Sequence, residues 1–132
     1  MSGSFSIARV LPATPEQIYK AWLDGDQHSE MTGAGATSNP TVGRTFTARD
    51  GYIEGINVEL AAYRRIVQRW RTVEFPVDEP NSLLKITLER SNGGTLLTIN
   101  HSEIPNGQGD SCKTGWVDHY FDPIVDYFRS IY

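Results

Sequence analysis

The chain of 132 residues has 39% hydrophobic and 21% charged residues and a formal net charge of −4. This balance excludes a nucleic-acid partner, because nucleic-acid-binding domains normally present a basic face. One cysteine excludes an internal disulfide and fits a reducing compartment. No leader peptide and no apolar run of membrane-span length is visible, so we expect one cytoplasmic domain over residues 1–132.

The first elements are predicted to be a strand and a short helix. Apolar residues alternate with polar or small ones over residues 4–11, as in a half-buried strand. Thr14, Pro15 and Gln17 then form a helix-start signature: Thr14 is the expected N-cap, Pro15 the first helical residue, and Gln17 completes a capping box. The helix is expected to end near Gly25.

Residues 26–43 have weak periodicity, and we expect one helical turn near residues 28–31 followed by a loop. Four residues here alternate in the manner of oxygen and nitrogen ligands: Asp24, Asp26, His28 and Glu30. They lack the glycine and the distal glutamate of a calcium loop. We therefore predict a solvated turn and no metal site.

Five strands in succession are predicted from residue 44 onward, over residues 45–49, 52–60, 65–74, 82–90 and 95–103. Asp50 and Gly51 form the expected turn of the first hairpin. Gly55, inside the next strand, suggests a bulge or a bend. The short connections predict antiparallel neighbours, and the twist of the strands predicts a strongly curved sheet.

The last stretch, residues 110–132, reads as the only long amphipathic helix. Its apolar residues recur at steps of three and four: Trp116, Tyr120, Ile124, Tyr127, Phe128 and Ile131. Asp110 or Ser111 is the expected N-cap. Pro123 cannot donate a backbone hydrogen bond, so we predict a kink or break around residues 119–123.

These elements predict an α+β fold in which a curved antiparallel sheet of about six strands wraps around a long C-terminal helix, with one or two short helices after the first strand. The ordered segments resemble the START-like helix-grip superfamily, often abbreviated SRPBCC. More narrowly, they resemble proteins related to the C-terminal domain of the activator of the 90-kDa heat-shock protein ATPase. The matching segments are residues 5–9, 14–22, 42–46, 65–71, 94–102 and 115–116.

The resemblance implies the helix-grip fold and a cavity between sheet and helix, which relatives use for lipids, hormones, aromatic polyketides or other apolar molecules. It also implies a possible chaperone partner. Some residues of the pattern differ here, so the mouth of the cavity is expected to differ as well.

Polar residues on the inner strand faces are the first candidates for a site. His101 shares a predicted strand face with Leu97 and Ile99, and Gln68 shares one with Trp70. His101 is either a hydrogen-bonded core histidine or a polar anchor for a ligand, and its ordinary pKa near 6.5 would also allow acid–base chemistry.

The aromatic residues of this region either fill the core or line a cavity. The candidate ligand-binding set is His101, Trp70, Gln68, Trp116, Tyr120, Phe121 and Ile99. Cys112 lies in the first turn of the last helix, where the helix dipole can lower the pKa of a thiol, but an unreactive thiol is the simpler interpretation.

Three functions are compatible with these residues and with the resemblance. The first is a binding module for a small hydrophobic molecule. The second, from the resemblance alone, is a chaperone-interacting module, and the third is a cavity enzyme with His101 as acid or base. No nucleophile or carboxylate partner for His101 is evident, so we assign no catalytic residue and expect no cofactor.

Overall fold

The computed structural model describes residues 3–131, without the side chain of Ile131. The strands are β1 (Gly3–Leu11), β2 (Thr45–Ala48), β3 (Ile53–Ala61), β4 (Arg65–Thr72), β5 (Ser82–Ser91) and β6 (Gly94–Ile104). The helices are α1 (Pro15–Trp22), α2 (Gly25–Thr32), α3 (Gly109–Trp116) and α4 (Asp122–Ile131), with a π-helical segment at Val117–Phe121.

The strands form one antiparallel sheet in the order β1-β6-β5-β4-β3-β2. Its curved inner face holds the apolar residues of alternating strand positions, and the last helix packs against it. The α+β helix-grip fold predicted from the sequence is confirmed.

The first helix begins as its sequence predicts. The Thr14 hydroxyl accepts a hydrogen bond from the Gln17 backbone N–H at 3.2 Å, and the Gln17 side chain accepts one from the Thr14 N–H at 2.7 Å. Both bonds satisfy backbone donors that the helix itself leaves free. The capping box is confirmed.

Residues 25–32 form a complete helix rather than the single turn that we predicted. Asp24 caps it by accepting from the Gln27 N–H at 3.1 Å, and Gly33 ends it in the left-handed conformation at φ 79°. The prediction of a solvated turn is wrong at His28, because this side chain is buried, only 4% exposed. The helix was not predicted because its composition is polar and its only buried residues are His28 and Met31.

Two details of the first hairpin also differ from expectation. Its turn is longer than Asp50–Gly51, because Ala48 pairs with Ile53 and a 3-10 turn spans Arg49–Gly51. The bulge in β3 lies between Asn57 and Glu59, not at Gly55. Gly55 serves close packing instead, since a Cβ there would come within 2.0 Å of the Arg69 carbonyl oxygen.

The last helix begins two or three residues earlier than its predicted N-cap implies. Gln108 is the N-cap, without a side-chain hydrogen bond, and its carbonyl accepts from the Cys112 N–H at 3.0 Å. The prediction of an Asp110 or Ser111 cap is therefore wrong, because both residues already lie inside the first turn.

The last helix is continuous, but its regular hydrogen bonding is interrupted where a kink or break was predicted. Regular α-helical bonding gives way to a π-helical segment over Val117–Phe121, where the Asp122 N–H bonds the Val117 carbonyl five residues back. Pro123, with no N–H, follows at once. The buried residues on this helix are Cys112, Trp116, Tyr120, Phe121, Ile124 and Phe128. The predicted inward position of the Ile131 side chain lies outside the described residues.

Candidate functional site

The seven residues of the predicted site all lie in the interior between the sheet and the last helix. Each side chain is at most 5% exposed: His101, Trp70, Gln68, Trp116, Tyr120, Phe121 and Ile99. Strand alternation places His101 and Ile99 on the inner face of β6, and Gln68 and Trp70 on that of β4.

His101 has a defined tautomer because of its two hydrogen-bond partners. Its Nδ1 lies 3.1 Å from the Trp116 indole nitrogen, and an indole N–H can only donate. Nδ1 is therefore the acceptor, and the proton of the neutral ring is on Nε2. That N–H donates to the Ser82 hydroxyl at 2.7 Å, which in turn donates to the Trp70 carbonyl oxygen at 2.6 Å.

This arrangement keeps His101 neutral. Burial lowers the pKa of His101 to about 4, because a charged imidazolium would lose its hydration. Protonation of Nδ1 would also break the bond from Trp116. Both ring nitrogens are thus occupied within the fold, and neither is free to exchange a proton with a substrate in this conformation.

His28, on α2, occupies a second buried site, one turn further along the last helix. Its Nδ1 lies 2.9 Å from the Trp22 carbonyl oxygen, which can only accept, so this nitrogen carries the proton. Nε2 then accepts from the Tyr120 hydroxyl at 3.2 Å. Burial lowers the pKa of His28, and burial raises the pKa of Tyr120. Both groups are therefore neutral near pH 7.

Four aromatic rings fill the space between the two histidines. Trp116 stands 4.6 Å from Tyr120, 5.7 Å from Trp70 and 6.1 Å from Trp22, measured between ring centroids. Trp22 also stacks on Tyr120 at 5.2 Å. Ring contacts at these distances add to the stability gained from burial. The last helix is thus held to the sheet and to α1 through one aromatic cluster.

A small, partly open cavity of about 40 Å³ adjoins this cluster. Trp70, Trp116 and Tyr120 of the predicted site line it, together with Ile53, Thr72 and Cys112. Such a volume holds at most a few water molecules, whereas sites for drug-sized ligands measure roughly 300–1,000 Å³. The aromatic side chains occupy most of the space that a ligand would need.

Gln68 belongs to a polar network that fixes a loop. Its amide donates to the Asn57 side-chain oxygen at 2.9 Å. The Asn57 amide donates in turn to the carbonyl oxygens of Asn39, at 2.7 Å, and Thr41, at 3.2 Å. Gln68 and Asn57 together therefore hold residues 39–41 against β3.

The remaining predicted residues pack away from the small cavity. Phe121 lies under the Arg9 guanidinium, whose Cζ is 5.2 Å from the ring centroid. Ile99 is fully buried, and its cross-strand partners are Ile7 and Ile86. A role for either residue in ligand binding stays a prediction.

Cys112 is not an activated thiol. It is 9% exposed, and burial raises its pKa to about 11, with a further contribution from the negative charge of Glu74. Desolvation of the thiolate thus outweighs any stabilisation from the start of α3.

Four residues of the interior were not predicted from the sequence to belong to this region: Trp22, His28, Asn57 and Ser82. Two of them had a usable signal. Ser82 has the same strand parity as Leu84 and Ile86, and Asn57 has that of Ile53. A polar residue at an inward-facing strand position indicates a buried hydrogen bond. Every buried side-chain nitrogen and oxygen of the described residues indeed has a hydrogen-bond partner.

Residues 3–131 contain neither a cluster of metal-ligating side chains nor a membrane-crossing helix. No group of histidine, cysteine or acidic side chains in that range could hold a metal ion. None of the helices in the same range has both the length and the apolar character to cross a membrane.

The chain is similar to named activators of a chaperone. The family described as "Activator of Hsp90 ATPase homolog 1-like protein" matches residues 12–129. The human activator of 90 kDa heat shock protein ATPase homolog 1 is 27% identical over 115 residues, covering 87% of this chain and 34% of that protein. The mouse homolog 2 is 24% identical, covering 89% of this chain and 35% of its own length. The chain thus spans about a third of the length of these relatives.

Solved structures share the fold. An HSP90 activator from Plasmodium falciparum superposes with a TM-score of 0.83 at 24% identity, over 95% of each chain. A protein from Mesorhizobium loti gives 0.81 at 17% identity, over 97% of this chain and 98% of the other. At such identities the likeness establishes the fold alone. The extent of the family match goes further: this chain belongs to the family of Activator of Hsp90 ATPase homolog 1-like proteins.

Proposed function

We propose that this protein is an interaction module that binds a chaperone of the 90-kDa heat-shock class. The observation that carries the proposal is the family match over residues 12–129, in a family described by its relation to an activator of that chaperone. Human and mouse relatives named as such activators support it. A cytoplasmic location, expected from the sequence, would suit this role.

The packed interior supports recognition through the outer surface. The cavity of about 40 Å³ leaves little room for a ligand, and both buried histidines have their partners inside the fold. A rigid, filled interior makes a stable scaffold for a protein interface, because little ordering is then needed on binding.

The test is a titration of the fluorescently labelled protein with purified 90-kDa chaperone, with and without ATP, read by anisotropy. We expect saturable binding with a micromolar or lower dissociation constant. A chaperone of the 70-kDa class serves as the specificity control. The absence of any anisotropy change at tens of micromolar chaperone would contradict the proposal.

Binding as a partner must be distinguished from binding as an unfolded client. Leu97 is fully buried, so Leu97→Ala should destabilise the fold by about 2–5 kcal/mol. A folded partner should bind no better after this change. Affinity that rises with the unfolded fraction would identify a client and would sink the proposed function.

A second candidate is the binding of a small hydrophobic molecule, favoured by one observation. A small cavity of about 40 Å³ adjoins Trp70, Trp116 and Tyr120. A ligand larger than this volume would have to displace one of these rings. Thr72, Gln108 and Ser111 are polar residues of the present lining, and His101 would be reached only after such a displacement. Gln68, Phe121 and Ile99 complete the candidate lining.

Native mass spectrometry of the purified protein tests this second function. A bound molecule should appear as a defined mass increment and should quench tryptophan fluorescence when it is added back. Cys112→Met would fill part of the cavity and should weaken the effect while the fold is retained. No increment, and no fluorescence change across a panel of fatty acids and aromatic probes, would argue against it.

A further inference from the structure

The connection between β4 and β5 exposes two large apolar side chains. Val73 is 69% exposed and Val77 is 97% exposed, the highest values among the exposed large hydrophobic residues of the described chain. Phe75, between them, is 3% exposed and packs against Trp70 with ring centroids 6.0 Å apart. The loop thus has a buried anchor and two outward valines.

Arg71 holds this loop in one conformation. Its guanidinium donates to the carbonyl oxygens of Phe75, at 3.4 Å, Pro76, at 3.0 Å, and Glu79, at 3.1 Å. It also donates to the Asn81 side chain at 3.2 Å. These bonds tie both ends of the loop to β4, so the valines are displayed on an ordered backbone.

Contacts with other elements reinforce that order. The Phe75 N–H donates to the Thr72 carbonyl at 3.1 Å, and the Gln108 side chain donates to the Glu74 carbonyl at 2.9 Å. Binding to a loop that is already ordered costs less conformational entropy than binding to a mobile one.

Val73 and Val77 border an open groove of about 780 Å³ across the ends of β2, β3 and β4. Ile56 adds a half-buried apolar side chain on β3, and Phe46 and Phe75 lie at the base. The groove thus combines exposed valines with polar side chains, a mixture typical of the surfaces of non-obligate protein interfaces.

The charges around the groove are negative. Glu54 lines it, and Asp78 and Glu79 directly follow Val77; all three carboxylates are exposed, and none makes an ion pair within the described residues. Arg71, the cross-strand neighbour of Glu54, also lines the groove, so three carboxylates stand against one guanidinium and the net charge is negative. A partner that fits must supply apolar side chains together with lysine or arginine.

We propose that this groove is a docking surface for a basic, apolar segment of the partner chaperone, with Val73 and Val77 as the apolar contacts and Glu54, Asp78 and Glu79 as the charged rim. The proposal rests on the proposed function and adds the surface and the chemistry of the segment that it recognises.

Three variants test the surface in the chaperone titration. The first, Val73→Ser with Val77→Ser, should weaken binding at least tenfold. The second, with Glu54→Gln, Asp78→Asn and Glu79→Gln, should weaken it severalfold and reduce its salt dependence. The matched control carries Val42→Ser and Val58→Ser, exposed valines outside the groove, and should bind as the unaltered protein does. All changes are at exposed side chains, so the melting temperature should stay the same.

The outcomes test the proposed docking surface and the proposed chaperone binding separately. If the unaltered protein and the groove variants bind the chaperone equally, the surface is wrong and the proposed function stands. If the unaltered protein does not bind the chaperone, the proposed function fails, and synthetic twelve-residue peptides of alternating leucine and lysine decide the surface. Tighter binding of these peptides by the unaltered protein than by the valine variant supports the groove, and equal binding overturns it.

Discussion

The two buried histidines are used in opposite tautomers to hold the same helix. His101, on the sheet, accepts at Nδ1 from Trp116 and donates from Nε2 to Ser82. His28, on α2, donates from Nδ1 to a backbone carbonyl and accepts at Nε2 from Tyr120. In both cases the last helix supplies the donor and the histidine supplies the unprotonated nitrogen.

The two histidines differ in the group that accepts the hydrogen bond from the protonated ring nitrogen. His28 ends its chain directly on the carbonyl of Trp22, the last residue of α1, whereas His101 needs the Ser82 hydroxyl to reach a carbonyl on β4. The sheet side therefore depends on one more side chain than the helix side does. Each histidine acts as a neutral acceptor. The contacts of both histidines with the last helix are therefore sensitive to acid and to loss of the donor side chain.

Removal of the Trp116 ring should have the largest effect on this arrangement. Trp116→Ala should lower the free energy of unfolding by about 3–5 kcal/mol, because it opens a cavity and leaves Nδ1 of His101 without a donor. Urea unfolding, followed by the midpoint at constant m-value, measures the change. A loss below about 1 kcal/mol would show that the cluster does not depend on this ring.

Acid should weaken both histidine contacts of the last helix. The pKa of each histidine is lower in the folded than in the unfolded chain, so the unfolded state binds more protons, and stability falls as pH drops from about 6.5 toward 4. For His101 the pKa change to about 4 corresponds to about 3 kcal/mol over this range.

The control for acid sensitivity is the third histidine, His119, which is exposed. Chemical denaturation at several pH values should show a steeper profile for the unaltered protein than for His101→Gln. His119→Gln should leave the profile unchanged. Identical slopes for all three proteins would contradict the account of His101.

Loss of the Tyr120 hydroxyl should have an intermediate effect. Tyr120→Phe keeps the ring but removes the donor to His28, which should cost about 1–2 kcal/mol because a buried acceptor is left unsatisfied. Nitrogen-15 NMR of the imidazoles provides a direct readout, with the proton on Nε2 of His101 and on Nδ1 of His28. The reverse assignment at either ring would refute the bonding described for that ring.

The smallest effect should have the opposite sign. Gly115 lies within α3, and a Cβ added there would meet no atom within 4 Å. Gly115→Ala should therefore raise stability by about 0.5–1 kcal/mol through the lower backbone entropy of the unfolded chain. A decrease, measured by thermal unfolding, would indicate that the helix needs a glycine at this position.

The parts of the fold with strong local patterns could be predicted from the sequence. Alternation in β5 and β6 predicted the inward position of His101, and Pro123 predicted the interrupted hydrogen bonding of the last helix. Thr14 with Gln17 predicted the start of α1. In each case the information lies within a few residues.

What could not be predicted depended on distant contacts. Nothing near His28 in the chain indicates Tyr120, which lies 92 residues away. The curvature of the sheet decides whether Trp70 and Trp116 enclose a ligand-sized space or fill it. The alternation of apolar and polar residues does not specify that curvature. The partners of His101 on β5 and α3 likewise come together only when the sheet closes around the helix.

The π-helical segment has a consequence for how this helix tolerates insertion and deletion. Buried residues stand four apart, at Trp116, Tyr120, Ile124 and Phe128. In a regular helix of 3.6 residues per turn, each step of four overshoots by about 40°, so three steps would carry Phe128 about 120° around the axis from Trp116. The wider turn at Val117–Phe121 takes in an extra residue and so offsets much of that drift. Deletion of one residue there would make the helix regular and leave the direction of its final part almost unchanged, because the π turn already accommodates that extra residue. If all residues were kept in regular α-helical geometry, the final part would instead turn by about 100°. This helix is thus expected to tolerate a one-residue deletion at Val117–Phe121 better than a one-residue insertion.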